Sequence, residues 1–205
     1  MKPNIYYKPF KHLKKDKVME FLINVFGDKI DIKDRYFSNY AKAIAELIIE
    51  QQISFKVAIS IKKKFNDLIS DKSNNEILEI DDNKLKSIGI SRMKIKYIKN
   101  VYQYFLDSKI NFDRLGDNKI INELTTIKGV GSWTAEMFLI FILFRENIFS
   151  KKDIALLNSI KLNYDIKNLT NERLDELIKS WAPYNTYASL LLWKSIEEKI
   201  FYKEN

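Results

Sequence analysis

The stretch Leu124 to Phe141, LTTIKGVGSWTAEMFLIF, carries two of the chain's five glycines, Gly129 and Gly131, two positions apart. A short apolar pattern ends near Ile127 upstream, and from Trp133 to Phe144 the chain is almost continuously apolar. This reads as a helix over 118–124, a tight link, and a second helix over 131–145. Glycine in the link allows positive φ and close approach of backbone. The second helix then starts with the amides of Gly131, Ser132 and Trp133, where the dipole and orphan N–H groups suit a phosphate. The same residues also describe a plain αα turn closed by a C-cap glycine, and both readings stand on the residues alone.

Outward from the hairpin, the remaining glycines (Gly27, Gly89, Gly116) and three prolines are too sparse to break the chain often, so long regular stretches lie between them. Apolar residues recur at three-four spacing in Val18, Phe21, Leu22, Val25, Phe26, in Ile44, Leu47, Ile48, and in Leu174, Leu177, Ile178, Trp181. Further helices are expected over 53–69, 74–79, 82–88, 92–107, 153–161 and 185–201. No run alternates with period two between hairpin turns, so the chain reads as all-α. The run Trp133 to Phe144 is interrupted by Thr134 and Glu136 and falls short of the roughly 20 residues that span a bilayer, so no membrane partner is expected. The N-terminus, MKPNIYYKPFKHLKKDK, lacks the apolar stretch of a signal peptide, which points to an intracellular, cytoplasmic protein.

Composition removes whole classes of chemistry. With no cysteine, disulfides, thiolate zinc sites, iron–sulfur clusters and cysteine nucleophiles are excluded, and the single histidine, His12, cannot build a histidine metal site by itself. At 205 residues with 46% apolar and 13% aromatic content, the chain is long enough to bury a core as one domain or two small lobes. Its 35 basic and 27 acidic residues leave +8, a balance that favours a polyanionic partner, nucleic acid first.

The hairpin, the segment FSNYAKAIAELIIEQQIS ending in Gln51-Gln52-Ile53-Ser54, LKSIGISRMKIKYIKNV, IFSKKDIALL and SWAPYNTYASLLLW occur in the order found in the helix-hairpin-helix DNA glycosylases. The chain resembles their alkylpurine branch, the DNA-3-methyladenine glycosylase II family, from about His12 to Phe201. The resemblance implies a two-lobed helix-hairpin-helix fold, with lobe one over 36–148 (hairpin 124–138) and lobe two made of 1–35 and 149–205. It lacks a counterpart of the N-terminal β-sheet domain of longer bacterial members. The implied protein is a monomer acting on damaged double-stranded DNA, with no cofactor required.

The resemblance also assigns roles. Asp153 takes the place of the catalytic aspartate, although it is also an ideal N-cap for the helix that follows. Bifunctional members carry a Schiff-base lysine two residues after the second hairpin glycine, and here that place holds Trp133, which cannot form an imine. The branch is therefore read as monofunctional, releasing 3-methyladenine or 7-methylguanine with water; the rivals are an oxidised-purine glycosylase/lyase and an inactive DNA-binding hairpin protein. A carboxylate stabilises the positive charge that builds on the sugar. A flipped cationic purine suits aromatic faces, and Trp133, Trp193, Tyr187 and Trp181 are the candidates, Trp133 and Trp193 by resemblance to pocket positions; Met137 holds a pocket place that is aromatic in a bacterial relative, and aromatics at helical spacing are usually core residues. Gln51 and Gln52 fall in the loop that plugs the vacated duplex, or cap a helix. DNA contacts are implied for Gln51, Gln52, Ser54, Lys128, Gly129, Val130, Gly131, Ser132 and Thr134, and a monovalent cation for the carbonyls of Thr125, Ile127 and Val130.

Overall fold

Local capping sets most of the helix boundaries. In the computed structural model, which describes residues 4–33 and 39–204, twelve α-helices follow one another: α1 Tyr7–Leu13, α2 Lys17–Phe26, α3 Tyr40–Glu50, α4 Phe55–Ile69, α5 Asn74–Leu78, α6 Asp82–Ser87, α7 Arg92–Asp107, α8 Asp117–Leu124, α9 Ser132–Phe141, α10 Ile154–Asn163, α11 Asn171–Trp181 and α12 Asn185–Glu198. The side chains of Asp16, Asn39, Ser73, Asp81, Ser91, Asp153 and Thr170 each accept a backbone N–H at the start of a helix. No strand occurs among the described residues, as the all-α reading requires.

Two compact units divide the chain: Arg35–Leu143, and Met1–Asp34 together with Phe144–Asn205. In the first, α3 is the axis, buried from Ala43 to Ile49, with α4, α7 and α9 packed on it and α8 against α9. A helix apolar nearly all round belongs in a core, and α9 follows the same rule, buried from Thr134 to Phe141 apart from Glu136. In the second unit, α12 packs on α2, α10 and α11. Ser159 Oγ donates to the Leu192 carbonyl at 2.8 Å and the Asn163 amide donates to Ser195 Oγ at 2.9 Å, which sets the register of α10 against α12.

Two boundaries differ from expectation for one reason. The helix expected over 131–145 stops at Phe141, and the dividing point expected at 148 falls at Leu143–Phe144. Residues 145–148 are needed elsewhere. Thr186 Oγ1 donates to the Arg145 carbonyl at 2.6 Å and accepts from the Ile148 amide at 3.1 Å, and the Thr186 amide donates to the Glu146 carbonyl at 3.0 Å. These bonds tie the segment to the first turn of α12 and outweigh helix continuation. Likewise α12 ends at Glu198 rather than 201, because Lys199 takes a left-handed C-cap (φ +57°). The start expected for lobe one, residue 36, lies outside the described residues. No described helix is long and apolar enough to cross a membrane.

Candidate functional site

In the unit built from both ends of the chain, Asp153 is half-buried at the N-terminus of α10, where Oδ1 accepts the Leu156 amide at 2.9 Å. The same oxygen accepts the Trp193 indole N–H at 3.3 Å. The cap and the carboxylate nominated for chemistry are thus one group, and the aromatic nominated for the pocket donates to it. Both bonds are donated to one oxygen of the carboxyl, Oδ1. Trp193 is half-buried. Tyr187 is different: it is 3% exposed, packs edge-on against Tyr6, and donates its hydroxyl to Glu146 at 2.9 Å. It is a core residue and has no face left for a base. Trp181 is fully buried, with its indole donating to Asp16.

In the other unit the hairpin α8–α9 is closed by Gly129, whose φ of +108° lies in the left-handed region. Its Cβ position would overlap the Tyr97 ring of α7, so glycine is required there twice over. Gly131 is extended (φ −95°, ψ 176°), N-caps α9 with no side-chain cap bond, and faces open space: a Cβ there would meet nothing within 4 Å. Ser132 and Trp133, half-buried, form the first turn, and Lys128 is exposed on the loop with its carbonyl accepting the Asn100 amide at 3.0 Å.

Three hairpin assignments need correction. The Val130 amide is not available to a phosphate, because it donates to the Ile127 carbonyl at 2.9 Å and closes the turn. Thr134, 1% exposed, cannot reach DNA; its hydroxyl accepts the Gln51 amide at 3.1 Å. Met137, also 1% exposed, is packed in the core. The two glutamines separate. Gln51 turns inward, its side chain reaching Thr134 and, at 3.5 Å, the Gly129 carbonyl. Gln52 is exposed at φ +58°, a strained conformation for a residue with a Cβ. Ser54, also exposed, precedes α4 without capping it.

Lys94 was not anticipated. Its ammonium donates to the carbonyls of Ile49 (2.8 Å) and Gln51 (2.6 Å), capping the C-terminus of α3 where the dipole is negative and holding the base of the Gln51–Gln52 loop. Burial pushes its pKa below the ordinary lysine value. The available signal was its place beside Ile95 and Ile98 on the inward stripe of α7, but in so lysine-rich a chain it reads as surface.

Of the three carbonyls nominated for a cation, that of Ile127 accepts the Val130 amide at 2.9 Å; carbonyl oxygens are hard ligands of the kind such a cation takes. No group of three or more acidic, histidine or cysteine side chains able to hold a metal occurs among the described residues.

The chain belongs to the HhH-GPD superfamily of base excision DNA repair proteins, whose family model matches residues 45–184. That span includes Gln51, the hairpin and Asp153 and ends before Trp193. A Bacillus subtilis relative is 29% identical over 162 residues, and the match covers 73% of this chain and 56% of that longer protein. DNA-3-methyladenine glycosylase 1 of Schizosaccharomyces pombe is 29% identical over 160 residues, covering 72% of this chain and 68% of its own length. The solved structure of the S. pombe 3-methyladenine DNA glycosylase Mag1 in complex with abasic DNA superposes with a TM-score of 0.83 at 25% identity, over 93% of this chain and 97% of that one.

Proposed function

We propose that this chain is a monofunctional DNA glycosylase that binds damaged duplex DNA, turns an alkylated purine such as 3-methyladenine or 7-methylguanine out of the stack, and hydrolyses its N-glycosidic bond in base excision repair. The observation that carries the reading is the Asp153 carboxylate held by the Leu156 amide and the Trp193 indole. A fixed negative charge of this kind stabilises an oxocarbenium-like sugar. As the bond to the purine nitrogen breaks, its electron pair leaves with the base and cancels the base's positive charge, so no general acid is required. Water adds to the anomeric carbon and releases a proton. Trp133 stands where a lysine would be needed to attack the sugar, so the strand is left uncut.

Binding divides among elements. The amides at the start of α9, opened by the bare Gly131, suit a phosphate, with Lys128 beside them. Gln52 is the side chain offered to the duplex in place of the removed base, and Trp193 is the aromatic partner of the cationic purine. The carbonyls of Thr125, Ile127 and Val130 would hold a monovalent cation, which when bound supplies positive charge to the phosphate-facing loop. The protein would act as a monomer in the compartment that holds the DNA, the cytoplasm of a prokaryote or the nucleus of a eukaryote, with no other cofactor.

Single-turnover excision across a lesion panel, with borohydride trapping, tests the reading. Release of methylated purines without a trapped complex is expected. Efficient trapping on an oxidised-purine duplex would establish a lyase instead, and binding without release of any base would leave an inactive DNA-binding protein.

A further inference from the structure

The geometry at α10 and α12 points to a second role for Trp193: we infer that its indole N–H is a positioning group for the Asp153 carboxylate, separate from any stacking of its ring on a base. The inference rests on the catalytic reading of Asp153 and deepens it. A helix cap needs only the amide of the first turn, and the Leu156 N–H at 2.9 Å supplies that. The indole contact at 3.3 Å comes from a different helix and serves no cap. It exists because α10 and α12 are pinned in register by the bonds from Ser159 to the Leu192 carbonyl and from Asn163 to Ser195, which bracket Trp193 on α12.

The chemistry of the contact is one-sided. An indole nitrogen donates and cannot accept, so Asp153 Oδ1 is the acceptor in this bond. Two donors from two helices on the same oxygen also fix the rotation of the carboxylate about its Cβ–Cγ bond. The direction in which its charge meets the sugar is then set before substrate arrives, as preorganised electrostatic stabilisation requires. A ring that only stacked on the base would have no need of its nitrogen, and tyrosine or phenylalanine would serve in its place. The fully buried Trp181 differs: its indole donates to Asp16 Oδ2 while Asp16 caps α2 through Oδ1, so the cap and the indole do not share an oxygen there.

The test separates nitrogen from ring. Replacing Trp193 with 3-benzothienylalanine keeps a bicyclic aromatic and removes the donor; Trp193→Phe is the encoded counterpart. Both are expected to lower the single-turnover excision rate about tenfold while affinity for an abasic-analogue duplex stays within about twofold of wild type. A spectroscopic readout is independent of activity. The chain has three tryptophans, and the indole proton resonance missing from Trp193→Phe identifies Trp193. In Asp153→Asn that resonance is expected to move upfield as a carboxylate acceptor becomes an amide, while the Trp181 resonance stays. An unmoved Trp193 resonance, or a benzothienyl variant that excises at the wild-type rate, overturns the inference. If wild-type protein releases no purine on any duplex, the glycosylase reading fails, and the resonance still reports whether the contact exists.

Discussion

Gly129 and Gly131 stand two residues apart and are glycine for different reasons. Gly129 has a positive φ and lies under the Tyr97 ring, so Gly129→Ala combines left-handed strain with overpacking. A loss of about 3 kcal/mol in urea unfolding is expected. Gly131 has an extended backbone and open space around its Cβ position, so Gly131→Val should change stability by less than about 1 kcal/mol and yet block approach of a phosphate backbone. Asp153→Asn should do the reverse in function. Asparagine is as good a cap as aspartate, so folding and duplex affinity should hold while single-turnover excision falls by about two to three orders of magnitude. Anisotropy on an abasic-analogue duplex and excision on a methylated one distinguish the two failures; wild-type excision by Asp153→Asn would reduce Asp153 to a cap. The glutamines make a second such pair. Gln51→Ala loses its bond to buried Thr134 and should cost about 1 kcal/mol. Gln52→Gly relieves a positive φ, so its melting temperature should not drop, whereas duplex affinity should. A destabilised Gln52→Gly variant with intact binding would remove Gln52 from the DNA.

At the scale of elements, what could be read from sequence is what is local. Periodicity located α2, α3 and α11, and the cap residue Asp153 marked the start of α10, because each helix is specified within its own residues. The hairpin was recognisable because its glycines are rare punctuation. What escaped depends on docking: the early end of α9 follows from Thr186, about 40 residues on, and the inward turn of Gln51 follows from Thr134 and Gly129. Asp153 was ambiguous because a cap and a catalytic carboxylate have the same local signature, and the contact from the Trp193 indole, brought in by α12, depends on docking that the local sequence does not show. The α3–α4 pair carries a further cluster that no motif announced. Glu46 is 4% exposed on α3, accepts the Asn66 amide at 2.9 Å, and lies 3.8 Å from Lys62, which also pairs with Glu50. Burial raises the Glu46 pKa above the usual carboxylate range, with Glu50 adding to the rise and Asn66, Lys62 and Lys42 opposing it. Between the ordinary value and the raised one, the folded chain therefore holds more protons than the unfolded chain, and stability falls as pH climbs through that window. Glu46→Gln keeps an acceptor for Asn66 and leaves Lys62 its Glu50 partner. Urea titrations from pH 4 to 8 should show the variant more stable at neutral pH, with a flatter dependence; a variant less stable at pH 7 with an unchanged slope would contradict the argument.

For the whole molecule, the charge is spread rather than concentrated. Arg35–Leu143 carries 17 basic and 13 acidic residues, and the unit formed by the two ends of the chain carries 18 and 14. Each unit is net positive by the same amount, so neither is the sole electrostatic anchor. Affinity for a duplex should come from a modest number of phosphate contacts, each contributing about 0.9 to the slope of log affinity against log salt. This gives a way to tell a phosphate contact from a contact with the opened stack. Lys128 is exposed on the hairpin loop, on the side of the chain that leads into the α9 amides. Lys128→Ala should weaken binding equally on damaged and undamaged duplexes and reduce the salt slope by about 0.9. Gln52→Ala carries no charge change, so its slope should match wild type, and its loss should appear on duplexes that present a vacated or weakened pair. Anisotropy titrations between about 50 and 200 mM salt, over which the Debye length falls about twofold, read both quantities from one data set. A Lys128→Ala protein with the wild-type slope would place that lysine away from the phosphates and leave the hairpin amides as the loop's contact with DNA.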